Sequence, residues 1–599
     1  MSPANGIPAN LRPRKTPRYR VAKPAFGERK TALVAALALA IGGTAFGAGA
    51  ATSPALMRVN GGLAGKQARA AALRAHFIAR HGALPAAPRR AAATLSVSNC
   101  DDSGAGSLRA AVTSAVSGDT IDLTGLDCGT IALTSGALAS DVDYLTLNGP
   151  GADKLVIDAG HHSRVIALLG TAGALTIDGL TLRNGSYTNQ DPDDPSGAAP
   201  GGCVLAAQYA TISNSSLEHC SASGKSVQGA AVHATGALWL VDSTVSGSIA
   251  TASADDISAT INGGAVSAGA VYMTDSQVSG ATVTATTTSS YGGVFGGGVF
   301  GMYGVILTDS SVSGVDVHVS AARDAYAKGG GVGSPTTVIL ERASVADNAV
   351  HGTPGTGYYQ GATSISAIGG GIYIMAIPRT HPEPSTVTDS TISGNAALCD
   401  GACGTYTVGG GGGLGTWAPE AVAITNSTIS GNRTDLNGGG LYTRAGGSVR
   451  LVNSTVTDNR SDHGAGIADL APNAPAWLEA ESTLVADNHP VDGADAVQVV
   501  TVHDGISGSH DLIGTANVAL PADTLTGAPL LAPLADNGGP TRTHALLPGS
   551  PAIDAGSNPL ALTADQRGAD HVRMYGNAPD IGAYESQPLA DAIFSSGFE

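Results

Sequence analysis

The sequence predicts an all-β chain folded as a right-handed parallel β-helix, a solenoid, with a short N-terminal capping helix. Three observations carry this. An alternation of apolar and small polar residues around an Asn/Asp-Ser pair recurs ten times, and a glycine cluster recurs in phase with it. No helical periodicity of about 10–15 residues separates the copies, which excludes a doubly wound sheet and leaves coils whose equivalent strands stack in parallel. Composition agrees: 83 Gly, 4% aromatic, 13% charged and 43% hydrophobic residues suit a slender core walled by short strands and frequent turns.

The chain opens on a basic stretch (Arg12, Arg14, Lys15, Arg18, Arg20, Lys23, Arg29, Lys30) that runs into the apolar segment Thr31 to Phe46 and the small residues Ala48-Gly49-Ala50. That apolar run is short for a bilayer span. Residues 1–50 therefore read as a secretory signal cleaved near Ala50, leaving no integral membrane span. Residues 51–92 carry Arg58, Lys66, Arg69, Arg74, Arg80, Arg89 and Arg90 without a carboxylate and read as a basic, Ala-rich linker or pro-segment. With a formal charge of −17 for the whole chain, the part beyond residue 92 is strongly acidic, which argues against nucleic acid as a partner.

From residue 93 a cap is expected, because the first coil of a solenoid would otherwise expose an apolar face and unpaired edges. Ser107 to Val116 places Leu108, Ala111, Val112, Ala115 and Val116 on one helical face, and Gly118-Asp119-Thr120-Ile121 turns into the first strand.

The β-helix is expected over residues 93–510. Its copies include Leu240-Val241-Asp242-Ser243-Thr244-Val245 and Ile424-Thr425-Asn426-Ser427-Thr428-Ile429. The anchors fall at Leu180, Ser215, Ser243, Ser276, Ser310, Ala343, Ser390, Ser427, Ser454 and Ser482, at steps of 27 to 47 residues. Ile424, Ile429, Leu451 and Val456 should point inward as apolar ladders. The Asn or Asp before each anchor suits a turn, since short polar side chains cap their own backbone and tolerate left-handed geometry. Glycine clusters such as Gly296-Gly297-Gly298 and Gly369-Gly370-Gly371 mark a sharp corner.

The run Cys100 to Ile121, followed by Leu145-Thr146-Leu147-Asn148-Gly149-Pro150-Gly151, resembles the N-terminal cap and opening coils of bacterial surface proteins with parallel β-helix repeats. The other end resembles the choice-of-anchor domain of type Q. It does so in Asp536-Asn537-Gly538-Gly539-Pro540-Thr541 with His544-Ala545-Leu546, in Gly549-Ser550-Pro551-Ala552-Ile553-Asp554-Ala555-Gly556, and in Asp565-Gln566-Arg567-Gly568 with Asp580-Ile581-Gly582-Ala583-Tyr584-Glu585. The family's usual Arg after Gln-Arg-Gly is represented only by Arg573. This region spans 511–586, and the tail 587–599, ending Ile593-Phe594-Ser595-Ser596-Gly597-Phe598-Glu599, looks like a terminal signature of exported proteins. The resemblance implies a β-helix that is secreted or displayed on the outer surface of a Gram-negative bacterium, and a monomer is expected. It implies no defined activity.

Six cysteines in an exported chain fit disulfides better than metal, and proximity pairs them as Cys100–Cys128, Cys203–Cys220 and Cys399–Cys403. Asp191, Asp193 and Asp194 form the densest acidic cluster, whose oxygens suit calcium. Asp462-His463-Gly464, Glu218-His219 and His161-His162 read as turn chemistry. Parallel β-helices also host polysaccharide lyases and glycosidases, which need converging carboxylates or a cationic base. Lysine is scarce beyond the signal (Lys66, Lys154, Lys225, Lys328), and no paired-carboxylate motif stands out. No catalytic residue is therefore assigned. The reading is a non-enzymatic scaffold that binds carbohydrate or a surface protein, with Tyr272, Tyr303, Tyr373 and Tyr442 as candidate exposed aromatics; a lyase or glycosidase is the alternative.

Overall fold

The computed structural model describes residues 92–587 apart from 190, 192–193, 195, 256–257, 289–290, 355–363, 376–383, 402–408, 418–420, 445–446, 471–477 and 492–496. The signal, nearly all of the linker, the last dozen residues, Asp193 and Cys403 lie outside them. Coil follows coil from Thr94 to Ile513 as the parallel β-helix the sequence predicts. One turn runs through Val266–Thr274, Gln277–Ser279, Thr282–Thr287 and Tyr291–Phe295, then bends at Gly296 into the next. Each strand pairs in parallel with its equivalent one coil on, as in Leu307↔Leu340, and the sheets so formed hold 24, 13, 10 and 6 strands among the described residues. No helix among them is long and apolar enough to cross a membrane.

The repeat becomes structure through three stacks. The apolar one is as expected: Ile424, Ile429, Leu451 and Val456 are all fully buried, in register with Val387 and Ile392 of the preceding coil. The second is the anchor serine. Ser243 N–H donates to Ser276 Oγ at 3.1 Å and Ser276 N–H to Ser310 Oγ at 3.1 Å, while Ser276 Oγ donates to Thr274 O at 2.8 Å. The chain of hydroxyls resumes in Ser390, Ser427 and Ser454. The residue before each anchor takes the left-handed region, at φ 46° for Asp242, 49° for Asp275 and 52° for Asn426, which explains the Asn/Asp preference. Arg342 takes φ 49° at the same place without such a side chain; its guanidinium grips Asp309 with bonds of 2.7 and 3.0 Å.

The tenth anchor needs correction. Val452 pairs with Glu481 and Thr455 with Leu484, so Thr483, not Ser482, stands in line with Ser454. Ser482 occupies the left-handed position, at φ 52°. The stack then ends on Asp511, whose Oδ1 accepts from Thr483 N–H at 2.8 Å.

The third stack is an asparagine ladder that the sequence reading missed. Asn348, Asn395, Asn432, Asn459 and Asn488 lie five positions after their anchors and are buried. Each of the first four gives its backbone N–H and its Nδ2 to the Oδ1 of the next, at 3.0 and 2.9 Å from Asn432 to Asn459. In earlier coils the same position holds Val315, Ala281, Ser248 and Cys220, so the ladder spans only the second half.

At the N-terminus, Leu108–Ser114 forms the expected capping helix, with Ser107 Oγ accepting from Ala110 N–H. Leu108, Val112 and Ala115 are buried against the first coils, whereas Val116 is 47% exposed because the helix has already ended. At the other end the chain turns back beyond Ile513 and runs along the outside of the preceding coils. Thr391 Oγ1 donates to Arg542 O at 2.6 Å, Asn453 Nδ2 to Ser557 O at 2.8 Å, and Ala583 N–H to Thr455 Oγ1 at 3.0 Å. The stretches that carry the C-terminal resemblance hold this wrap together: Arg567 pairs with Asp565 at 2.6 Å and lies over the Tyr584 ring at 3.8 Å, and Ile581 N–H donates to Ala552 O.

Candidate functional site

Two columns of largely buried side chains outside the main core build the main candidate. In register lie Phe300, Gly333, Tyr373, Gly415 and Tyr442, so large rings alternate with glycine. A β-carbon at Gly333 would collide with the Gly296 backbone and one at Gly415 with Ile368 and the Gly369 backbone, so the close approach of the neighbouring corner requires glycine at both. The neighbouring column sets Asn262, Phe295, Lys328 and Ile368 side by side. Between the columns lies a cavity of about 170 Å³, lined by Phe295, Phe300, Met302, Tyr373 and Met375 together with Asn262, Ser334 and Pro335. None of these is a carboxylate.

Lys328 ends the strand Asp324–Lys328 immediately before the Gly329 corner, and its side chain is directed into the aromatic cluster. Its Nζ stands 5.0 Å from the Tyr326 ring centre, 5.2 Å from Tyr373, 5.6 Å from Phe295 and 5.8 Å from Trp417. No carboxylate pairs with it among the described residues. Burial disfavours the ammonium and brings its pKa down to about 8, while the π faces supply its electrostatic company. Arg444 lies over the Trp417 ring at 5.3 Å. Phe295, Tyr326, Met375 and Trp417 are half-buried, so a ligand can reach them.

A second groove of about 550 Å³ follows the turn stack along Asp242, Asp275 and Asp309, bounded by Arg342 and by Pro540 of the wrap. It is the uncovered continuation of the face on which the wrap lies. Under the wrap, Asn426 and Asn453 donate to Ala564 O and Ser557 O, and Asp389 O accepts from Thr541 Oγ1 at 3.0 Å.

Of the four candidate tyrosines only Tyr303 is exposed, at 54%. Tyr373 and Tyr442 are buried in the aromatic column, and Tyr272 stacks on Trp239 at 5.7 Å in a separate outward-facing cluster with Ile306. Burial corrects the expectation for these three: a ring flanked by glycine or by another ring on adjacent coils is covered by its neighbours. The sequence reading passed over Phe295, Lys328 and Trp417, which only the register brings together.

Asp194 uses its carboxylate inside its own loop, accepting from Ser196 N–H and Oγ and from Asn189 Nδ2, which holds its pKa below the usual range. Asp191 caps the same loop through its backbone, and Asp193 lies outside the described residues. Disulfides join Cys100 to Cys128 and Cys203 to Cys220. Cys399 is also disulfide-bonded. His161 and His219 adopt left-handed backbone, at φ 61° and 52°, and Asp462-His463-Gly464 forms a corner with Gly464 at φ 59°.

No family model and no curated protein matches the chain. Among solved structures, that of pectate lyase Pel9A is similar over 83% of this chain and 96% of that chain, at 12% identity and a TM-score of 0.29. A likeness of this strength says nothing about activity or substrate.

Proposed function

We propose that the chain is an exported, surface-displayed or extracellular β-helix that works without catalysis, binding a neutral glycan at the aromatic cavity beside Lys328. The observation that carries this reading is the cavity's lining: Phe295, Phe300 and Tyr373 with half-buried Tyr326 and Trp417 nearby, and no carboxylate. Aromatic faces receive the apolar face of a sugar ring. The basic and apolar N-terminal segments support export, and the C-terminal stretches support display at the cell surface.

A lyase is the second reading, favoured by one observation. A lysine whose pKa is about 8 is in the range of a general base, as β-elimination from a uronate requires. Against it, no carboxylates gather around Lys328 among the described residues to hold calcium, and the acidic chain repels anionic polymers.

The two readings separate in one experiment. The exported protein is titrated with neutral and anionic polysaccharides, with and without calcium, while new reducing ends and unsaturated-uronate absorbance are followed. Binding to a neutral glycan without turnover, weakened about tenfold or more in Trp417→Ala, supports the scaffold. Turnover abolished in Lys328→Met transfers the assignment to a lyase, and binding that Trp417→Ala leaves unchanged removes the cavity from the function.

A further inference from the structure

One coil separates His318 from His351 in sequence, and the parallel pairing of Asp316–Ala321 with Ala349–Pro354 sets the two in direct register. Their rings lie parallel, 4.6 Å between centroids at 16°. Asp316 completes the group from the same strand as His318: its Oδ1 is 3.1 Å from His318 Nε2 and 3.7 Å from His351 Nε2. One nitrogen from each histidine and one Asp316 oxygen all fall within 4.8 Å of one another.

We propose that Asp316, His318 and His351 form a binding site for one divalent transition metal of the zinc class, with Asp400 fixing the second histidine from behind. Zinc–nitrogen and zinc–oxygen bonds of about 2.0–2.2 Å place neighbouring ligand atoms roughly 3.3–3.5 Å apart in a tetrahedral site. The group is therefore within an ångström or so of a ligand triangle, and the side chains are exposed enough to close that gap by rotation. Two imidazoles with one carboxylate select zinc, copper or nickel over calcium or magnesium, whose sites are built from oxygen.

The fourth residue argues for a built site. His351 Nδ1 lies 3.0 Å from Asp400 Oδ1, across the next coil, and Thr353 Oγ1 donates to Asp400 Oδ2 at 3.3 Å. A proton held on Nδ1 by that carboxylate leaves the Nε2 lone pair facing Asp316, the outer-carboxylate arrangement that orients metal-bound histidines. Three protein ligands leave at least one position for water or for a donor from a bound partner. The site lies on a different sheet from the aromatic cavity, so the inference is independent of the proposed function.

The test uses the metal-stripped full chain, titrated with Zn²⁺ by calorimetry and with Co²⁺ by visible absorption. One equivalent should bind, with a cobalt spectrum characteristic of mixed nitrogen and oxygen ligation. His318→Ala and His351→Ala should each abolish stoichiometric binding. Asp400→Asn should weaken it about 10- to 100-fold while the spectrum keeps its form. Melting curves in chelator should match among all four proteins, which separates lost ligation from lost folding. Absence of stoichiometric binding by the unaltered chain overturns the proposal, as does binding that survives the double replacement of His318 and His351.

Discussion

Thr428 Oγ1 donates to Gln566 Oε1 at 2.6 Å, although 138 residues separate the two. The same amide donates from Nε2 to Thr391 Oγ1 at 2.9 Å and to Thr541 Oγ1 at 2.9 Å, so one buried side chain fastens the wrap to two successive coils. Gln566→Ala should cost about 2–3 kcal/mol, because several buried hydroxyls lose their partner at once. Limited proteolysis should then cut first between residues 514 and 587 while the coils stay intact. Cleavage that begins instead within the coils would show that the wrap and the β-helix unfold as one.

The asparagine ladder makes a second prediction. Asn432 accepts from Asn395 and donates to Asn459 and to Ile392 O, all within a buried turn. Asn432→Leu strands those groups without water, and we expect a loss of about 2–4 kcal/mol in urea denaturation. Leucine at the ladder-free position Val315 should cost far less, because that position already holds an apolar side chain. Equal losses at the two positions would reduce the ladder to ordinary packing.

Asp511 supplies a pH dependence. Burial raises its pKa to about 8, and its Oδ2 has no hydrogen-bond partner, as a carboxylic acid tolerates better than a carboxylate does. Between about pH 4 and 8 the folded chain keeps this proton and the unfolded chain releases it, so stability falls as pH rises through that window. Asp511→Asn retains the acceptor for Thr483 N–H and should flatten this slope and raise the melting temperature at pH 7–8. A slope unchanged in the variant would mean that another group titrates.

Lys328 gives the opposite sign. Its folded pKa of about 8 lies below the ordinary lysine value, so the cost of burying its charge is full below pH 8 and is relieved as pH rises toward about 10.5. Lys328→Met should therefore stabilise the protein at pH 7 by about 1–3 kcal/mol and remove the alkaline gain. A destabilised variant at pH 7 would show that the surrounding rings outweigh desolvation.

The features legible in the sequence are those that recur within a coil. The anchor serines, the left-handed Asn or Asp before them and the inward Ile and Val ladders repeat at short range, so each copy reinforces the others. The tenth anchor is ambiguous in the sequence because Glu481-Ser482-Thr483 offers two hydroxyl residues, and only pairing with Val452 and Thr455 selects Thr483. The asparagine ladder is equally periodic, but its Asn lies five positions beyond the anchor, outside the repeated motif, and only in the later coils. The aromatic cavity and the wrap are another matter. Phe295, Lys328, Tyr373 and Trp417 come from successive coils of unequal length, and Gln566 meets Thr428 only after the chain reverses. No local pattern encodes either meeting.

The reversal of the chain after Ile513 has a mechanical consequence. A strand at the end of a solenoid, pulled outward from its free end, parts one rung at a time as a zipper does. Here a load applied at residue 587 reaches Thr391, Thr428 and Thr455 together, through bonds spread over successive coils and directed across the axis. The joint is loaded in shear, like a lap seam, and yields only when several bonds fail at once. A molecule gripped by its C-terminal end would hold its last coils closed under tension that would unravel a bare β-helix.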